Sequence, residues 1–319
     1  ETYQDVAEEV IRMYGYEHVV PTFLSEAKVT LGGQSGEQKK ELKLKRLLCS
    51  IGAYECIHYS FISPSDLDLL RLPDDDPWRR AIRLLNPINE DLSLMRTTLS
   101  ASMLNAIARN QKKGNLSGRL FEAGKVFIPG ELPIKEYPDE RDTLCIGIFG
   151  EQESFFSFKG IADKVAETMF GHFSYEPAGR TFLHPYQAAD IFCNGEKVGY
   201  LGKAAYEVAE ELDLRTDAYL LELDLKKLNE ICDKKEVFVP LPKFPEEKRD
   251  LALVMGREVT CGQVEEAIRS ACPQVGDIKL FDVYEGGQIP EDKKSMAFTV
   301  QFLPGEEAFE ADSVDRFVK

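Results

Sequence analysis

Residues 86–127 read NPINEDLSLMRTTLSASMLNAIARNQKKGNLSGRLFEAGKVF, and the pattern changes here from helical to β. Apolar side chains recur at helical spacing over residues 100–113, at Met103, Leu104, Ile107 and Ala108. This spacing predicts a helix, and Gly114 ends it because glycine readily adopts the backbone conformation that terminates helices. From residue 119 onward the apolar residues fall in short runs separated by turns, which is typical of strands.

The part of the chain after this helix is predicted to be mostly β. Short strands are predicted at residues 119–127, 144–149, 188–193, 197–201 and 219–225. Asn194 and Gly195 lie between two of them, and this dipeptide is typical of a tight hairpin between antiparallel strands. Helices are predicted at residues 160–170 and 205–212. Helices mixed with mostly antiparallel strands predict an α+β fold.

Upstream of residue 86 the sequence predicts two helices and one strand. Helical spacing covers residues 1–14 and 37–51, and a strand pattern covers residues 55–62. Residues 66–68 are predicted to lie in a loop. Because the first helix has no start signal in the sequence, we predict that the chain begins within a structural element.

A proline-rich segment, residues 237–245, predicts a linker to a second domain. The elements after it are strand, helix, strand, strand and helix, at residues 249–255, 262–272, 277–284, 294–303 and 311–319. This order predicts a ferredoxin-like split βαβ fold without its final strand. We therefore predict that the second domain is truncated at its C-terminal end.

The charge balance limits the partners that the chain can bind. It contains 39 basic and 55 acidic residues, a net charge of −16, which argues against binding DNA or RNA through bulk electrostatics. Any contact with nucleic acid must then be local. Two basic windows stand out, Lys39, Lys40, Lys43, Lys45 and Arg46 in the first and Arg109, Lys112, Lys113, Arg119 and Lys125 in the second. Each window alone is more typical of a solvated face than of a binding site.

The remaining composition predicts a cytoplasmic protein with no membrane segment. No run of about 18 or more apolar residues occurs, so no membrane-spanning helix is predicted. Seven cysteines are scattered without a CxxC motif, and no histidine lies close enough to complete a zinc site. They are predicted to be reduced thiols.

Several stretches resemble, in the right order, the β subunit of bacterial phenylalanyl-tRNA synthetase. They read DVAEEVIRMYGYEHV at residues 5–19, NPINEDLSLMRTTLSASMLNAIARNQKKGN and RLFEAGKVF within residues 86–127, FLHPYQAADI at 182–191, VGYLGK at 198–203, FPEEKRDLALVM at 244–255 and IKLFDVYEGGQIPEDKKSMAF at 278–298. The resemblance implies three regions. Residues 1–21 match the end of a B5 domain, residues 22–238 a non-catalytic core with a class II synthetase-like antiparallel sheet, and residues 239–319 a ferredoxin-fold anticodon-binding domain.

The resemblance implies a part of a ligase of two α and two β subunits, which attaches phenylalanine to tRNA-Phe using ATP. The α subunit holds the ATP and the active site, and the β subunit docks on α and binds the anticodon. The arginine positions in this sequence also indicate that this chain is not catalytic. A class II ATP site needs an R-x-E arrangement, but Arg119 and Glu122 are one residue out of register and point to opposite faces of a strand. Arg215 falls in a predicted loop rather than on the expected helix.

Other functions remain open from the sequence alone. One alternative is a stand-alone RNA-binding or protein-scaffolding module, and a weaker one is an active ligase. No catalytic residue is assigned. The face that contacts α is not indicated, and the editing site of the family lies in a region before Asp5.

Asp5, Glu8 and Glu9 are the candidate metal ligands. They lie at i, i+3 and i+4, so they share one helical face, and carboxylate oxygens suit Mg²⁺. The resemblance implies a magnesium ion at the contact with α, held by four acidic residues of which the first precedes Asp5 by six positions. An acidic first turn that is favoured by the helix dipole explains the same residues.

The candidate RNA-binding residues lie in the second domain. They are Lys248, Arg249, Ala252, Phe281, Lys293, Lys294 and Ser295. Strand alternation predicts an open face with small residues and the exposed aromatic Phe281, joined on its strand by Lys279 and Val283. Residues 240–319 contain 10 basic and 16 acidic residues, so this domain alone is expected to bind RNA weakly. Packing of Phe281 against a neighbouring domain is the alternative.

Overall fold

A computed structural model describes residues 2–22, 32–232, 241, 243–287, 289–305, 307–309 and 314. The chain divides into two compact units, Glu1–Lys39 and Lys40–Lys319. This division falls at neither predicted domain boundary, and the three predicted regions stay predictions. Most of the predicted linker and of the predicted helix at residues 311–319 lies outside the described residues. Val314 is described and is buried.

The helices of the described chain are α1 (Tyr3–Tyr14), α2 (Gly36–Ser50), α3 (Pro64–Leu69), α4 (Ser100–Lys112), α5 (Phe155–Thr168), α6 (Tyr206–Glu211), α7 (Leu225–Ile231) and α8 (Cys261–Ala271). The strands are β1 (Tyr54–Glu55), β2 (Phe61–Ile62), β3 (Leu94–Met95), β4 (Gly118–Ile128), β5 (Asp139–Phe149), β6 (Phe173–Pro177), β7 (Leu183–Cys193), β8 (Glu196–Ala204), β9 (Ala218–Asp224), β10 (Glu247–Gly256), β11 (Val275–Tyr284) and β12 (Lys293–Phe302). In these residues no helix is both long and apolar enough to cross a membrane.

Seven strands form the main sheet in the order β1-β4-β5-β9-β8-β7-β6. All neighbouring strands are antiparallel except β1 and β4, which are parallel. Asn194 and Gly195 turn the chain between β7 and β8, both with positive φ, as the predicted hairpin requires.

The main sheet is buried on both faces, because apolar side chains alternate between two hydrophobic clusters. On β5, Cys145 and Phe149 join the first cluster, while Ile146 and Ile148 join the second. Helices α3, α4 and α6 contribute to the first cluster, and α2, α5 and α7 to the second. Helix α4 packs so closely on β5 that a Cβ on Gly147 would lie 2.7 Å from Met103 Cγ. In the described chain, packed side chains therefore cover both faces of the main sheet, and neither face forms an open cleft.

Two local predictions upstream of the sheet are wrong. Residues 66–68 lie in α3 rather than in a loop, because Ser63 caps this helix and the Asp66 carboxylate accepts a hydrogen bond from Ser63 N at 2.9 Å. The predicted strand at residues 55–62 is reduced to the two-residue strands β1 and β2, and the segment between them is not a strand, although Cys56 N donates to the Phe121 carbonyl of β4 at 2.7 Å. Hydrogen bonds to the side chains of Glu122 and Arg96 hold the rest of that segment.

The second sheet has three antiparallel strands in the order β10-β12-β11. Its inner face carries Met296, Phe298, Val300 and Phe302 of β12, which are buried with Val264 and Ile278. Thr260 caps α8, because its hydroxyl accepts a hydrogen bond from Gln263 N. The strand, helix, strand, strand order confirms the predicted α+β fold with a ferredoxin-like second part.

Candidate nucleic-acid interface

The open face of the second sheet is defined by the pairing of β10 with β12. Residues directly opposite each other in an antiparallel pair share a face. The pairs on the open face are Lys248 with Gln301, Asp250 with Thr299, Ala252 with Ala297, Val254 with Ser295 and Gly256 with Lys293. Of the predicted RNA-binding residues, this register places Lys248, Ala252, Lys293 and Ser295 on one face.

Arg249 and Lys294 do not belong to this open face. Arg249 lies opposite the buried Val300, and Lys294 lies opposite Met255, so both occupy inner-face positions. The Arg249 guanidinium pairs with Glu247 at 3.0 Å and donates a hydrogen bond to the Lys248 carbonyl. The prediction overlooked that neighbouring residues of a strand point to opposite faces.

A bulge in β11 changes which residues reach the open face. Leu280 lies opposite Phe298 and Asp282 lies opposite Ala297, so Phe281 is the extra residue between them. Phe281 is 54% exposed, as predicted. Beyond the bulge the alternation is reversed. Tyr284 pairs with Ser295 on the open face, whereas Val283 takes an inner-face position, contrary to the prediction.

Asp282 and Tyr284 are therefore open-face residues that the sequence reasoning missed. A bulge cannot be read from strict alternation, and the only signal was the apolar Val283, whose inner-face position matches its chemistry. Tyr284 is 45% exposed.

The two ends of the open face differ in their polar contacts. At one end the Thr299 hydroxyl donates to Asp250 at 2.7 Å, and Gln301 donates to Glu246. At the other end the side chains of Asp282, Lys293 and Ser295 have no hydrogen-bond or ion-pair partner among the described residues. This second end offers two aromatic rings, a carboxylate, a hydroxyl and an ammonium group on β11 and β12, next to the small residues Ala252 and Ala297. Such a surface can stack bases and bond their edges.

The candidate metal ligands do not assemble a site. The Asp5 carboxylate accepts hydrogen bonds from Thr2 N at 2.5 Å and Thr2 Oγ1 at 3.0 Å, and these bonds hold the pKa of Asp5 below its ordinary value. Glu9 pairs with Arg12 at 2.6 Å. Within the described part of the chain, no group of three or more histidine, cysteine or acidic side chains could hold a metal ion. The residues present do not fit a magnesium centre.

On the main sheet, Arg119 and Glu122 point to opposite faces, as the sequence predicts. Arg119 donates to Glu153 at 2.8 Å and to the Ile51 carbonyl at 3.0 Å, so its guanidinium is used in packing. Glu122 lies on the face of the first cluster and is 3% exposed. An ATP phosphate therefore meets no R-x-E pair on this strand.

Glu122 belongs to a buried ionic network. Its carboxylate contacts His58 Nδ1 at 2.5 Å and Arg96 NH1 at 2.8 Å, and Arg96 Nε donates to the Lys125 carbonyl at 2.8 Å. Burial disfavours the carboxylate, but the His58 hydrogen bond and the Arg96 charge outweigh it and hold the pKa of Glu122 below its ordinary value. The network fixes the segment between β1 and β2 against β4.

Glu222 lies on the same face, buried on β9. Its Oε2 accepts hydrogen bonds from Thr98 Oγ1 at 2.7 Å, Leu99 N at 3.0 Å and Ser100 Oγ at 2.9 Å. Burial raises the pKa of Glu222 despite these bonds. Both buried carboxylates are committed to protein groups, so neither is exposed to a substrate.

Comparison with known proteins agrees with this arrangement. A sequence model described as the phenylalanyl tRNA synthetase beta chain CLM domain matches residues 20–225. The chain belongs to the phenylalanyl-tRNA synthetase β-chain family. A second model, described as the ferredoxin-fold anticodon binding domain, matches residues 242–319, which include β10, β11 and β12.

Relatives of the family cover nearly the whole chain. The phenylalanine–tRNA ligase β subunit of Clostridium tetani is 38% identical over 94% of this chain and 38% of its own length. The same subunit of Bacillus cereus (strain ATCC 14579) is 30% identical over 98% of this chain and 40% of its own length. The chain thus spans about two fifths of the length of these relatives.

A solved structure supports the synthetase-like fold. The pyrrolysyl-tRNA synthetase of Desulfitobacterium hafniense is similar with a TM-score of 0.51 and 14% sequence identity, over 72% of this chain and 76% of that chain. At this identity the similarity concerns the fold alone.

Proposed function

We propose that this chain is the part of a phenylalanine–tRNA ligase β subunit that binds the anticodon of tRNA-Phe and has no catalytic activity of its own. The observation that carries the proposal is the unpartnered end of the open face, where Phe281 and Tyr284 of β11 lie next to the small residues Ala297 and Ala252 of the neighbouring strands. The rings stack on bases, Asp282 and Ser295 bond base edges, and Lys293 holds a phosphate. The match of residues 242–319 to an anticodon-binding domain supports this assignment.

The proposal places ATP and phenylalanine on a separate α subunit. The β chain docks on α in a cytoplasmic ligase of two α and two β subunits. Support comes from the main sheet, since both of its faces are filled by apolar clusters. The three carboxylates of α1 do not fit a magnesium site, so the proposal includes no metal-dependent step in this chain.

Tyr284→Ala and Phe281→Ala test the stacking role. Each substitution removes one ring from the open face, and we expect each to weaken binding of a tRNA-Phe transcript by about 1–3 kcal/mol. Fluorescence anisotropy with the full chain and labelled tRNA measures this loss. Val283→Ala is the matched control, because Val283 is an exposed apolar residue of the same strand in an inner-face position.

Equal effects of all three substitutions would contradict the proposal, because a general loss of strand stability would then explain them. Unchanged tRNA affinity in both aromatic variants would also contradict it, and Phe281 would then be a packing residue of a scaffolding module.

A further inference from the structure

Four cations surround the last turn of α4. Arg109, Lys112 and Lys113 lie within five residues at its C-terminal end, and Arg215 lies in the turn between α6 and β9. We name these four residues the α4 cation cluster. All four are exposed, and in the described parts of the chain none of their side chains has an ion-pair or hydrogen-bond partner.

The buried side chain of Gln111 holds Arg215 beside α4. Gln111 Oε1 accepts hydrogen bonds from Arg215 N at 2.6 Å and Thr216 N at 3.2 Å, while its Nε2 donates to Thr216 Oγ1 at 3.1 Å. Thr216 Oγ1 in turn donates to the Leu116 carbonyl at 3.1 Å. Residues about a hundred positions apart are therefore fixed together, and the backbone of Arg215 has one defined place next to the helix end.

The α4 cation cluster is positively charged although the chain has a net charge of −16. Many exposed cations of the same fold have carboxylate partners, such as Lys135 with Glu131, Lys164 with Glu167 and Lys226 with Asp139. The negative end of the helix dipole favours Arg109 and Lys112 in the last turn and Lys113 directly after it. It does not account for Arg215, which lies outside the helix.

Acidic groups near Arg215 do not neutralise the α4 cation cluster. Arg215 lines a cavity of about 490 Å³ together with Glu151 and Asp217. Asp217 is already bound to Lys203 Nζ at 2.7 Å, and neither carboxylate lies within 4.0 Å of the Arg215 guanidinium. The cluster therefore keeps a local positive charge on an acidic molecule.

We propose that the α4 cation cluster is a second tRNA contact, which binds phosphates of the sugar–phosphate backbone outside the anticodon. This inference rests on the proposed function, because it concerns the same RNA. Arg and Lys side chains supply most phosphate contacts in such interfaces, and these contacts position the RNA without reading its sequence. The contact also supplies positive charge for RNA binding, which the second domain lacks because its acidic residues outnumber its basic ones.

The test compares whole tRNA-Phe with its isolated anticodon stem-loop, each bound to the full chain over a range of salt concentrations. The variant carries Arg109→Gln, Lys112→Gln, Lys113→Gln and Arg215→Gln. We expect weaker binding of whole tRNA and a shallower salt dependence, by a slope of about 0.7–0.9 for each phosphate that the variant no longer binds. Binding of the stem-loop stays unchanged.

A control variant removes the same number of exposed charges elsewhere. It carries Arg83→Gln, Lys135→Gln, Lys164→Gln and Lys226→Gln, at cations that have carboxylate partners. We expect it to bind both RNAs as the unmodified chain does. If both variants melt at the same temperature as the unmodified chain, misfolding does not explain a change in RNA binding.

The inference is overturned if the cluster variant binds whole tRNA normally, or if it loses whole tRNA and stem-loop to the same extent. Loss of α-subunit binding with normal tRNA affinity also overturns it and assigns the surface to a protein partner. The variants Phe281→Ala and Tyr284→Ala test the proposed function independently of the cluster. We expect them to weaken binding of both whole tRNA-Phe and the stem-loop. A cluster effect without an effect of Phe281→Ala and Tyr284→Ala contradicts the anticodon face and leaves the cluster contact standing.

Discussion

Glu122 and Glu222 are buried on one face of the same sheet, yet their pKa values move in opposite directions. Glu122 is hydrogen-bonded to the positively charged Arg96, whereas the hydrogen-bond donors to Glu222 are hydroxyls and one backbone N–H, and the charge of Arg180 has the smallest effect on its pKa. In the first case the His58 hydrogen bond and the Arg96 charge outweigh burial, and in the second case burial outweighs the neutral donors and the Arg180 charge. The sequence shows two glutamates on strands and contains no sign of this difference.

The pH dependence of stability follows from these two directions. Because the pKa of Glu222 is raised above 4.5 in the folded state, its contribution to the free energy of unfolding falls as pH rises from 4.5 through the folded pKa. Glu222→Gln keeps an oxygen for the three donors and removes the ionisation. We expect the free energy of unfolding of the variant, relative to that of the unmodified chain, to rise between pH 5 and pH 8.

Urea denaturation at the two pH values measures this gain, with Glu122→Gln as the contrasting variant. The lowered pKa of Glu122 gives stability that is present above its ordinary pKa and is lost as pH falls through the folded value. Both pH values lie above the ordinary pKa of 4.5, so we expect the stability loss of Glu122→Gln to change little between pH 5 and pH 8 and to shrink only below pH 4.5. A relative stability of Glu222→Gln that does not rise between pH 5 and pH 8 would contradict the raised pKa of Glu222.

At the scale of elements, sequence periodicity predicted α4, α5 and the long strands because each has a clear apolar face. It failed where local geometry decides the structure. The Ser63 cap converts residues 66–68 into a helical turn, and the bulge at Phe281 reverses the faces of Val283 and Tyr284. The open face could be predicted as a surface, but its polar members could not, because one extra residue shifts the alternation.

Deletion of Phe281 tests the bulge directly. Leu280 and Asp282 already pair with the consecutive residues Phe298 and Ala297, so the deletion closes the ladder without changing the register on either side. Deletion of Lys279 instead forces Ile278 or Leu280 out of the inner face. Measured by circular dichroism, the melting temperature should fall clearly less for the Phe281 deletion than for the Lys279 deletion. A larger fall for the Phe281 deletion would show that the bulge is needed for folding.

At the scale of the whole molecule, the two filled faces of the main sheet determine what the chain cannot do. We expect the purified chain to show no phenylalanine-dependent exchange of pyrophosphate into ATP. Arg119 is engaged with Glu153, and both faces are covered by apolar clusters. Exchange above background that disappears in Arg119→Ala would contradict this expectation. Addition of a phenylalanyl-tRNA synthetase α subunit provides the positive control.

Burial on both faces also makes the main sheet a single cooperative unit. Strand β5 is hydrogen-bonded to β4 on one side and β9 on the other, and its residues from Leu144 to Phe149 are all buried. Amides in such a strand exchange with deuterium only when the whole domain unfolds. Edge strand β6 has one neighbour, so its amides exchange through local opening. The slowest deuterium uptake in β5 should therefore report the global unfolding free energy of this part of the chain.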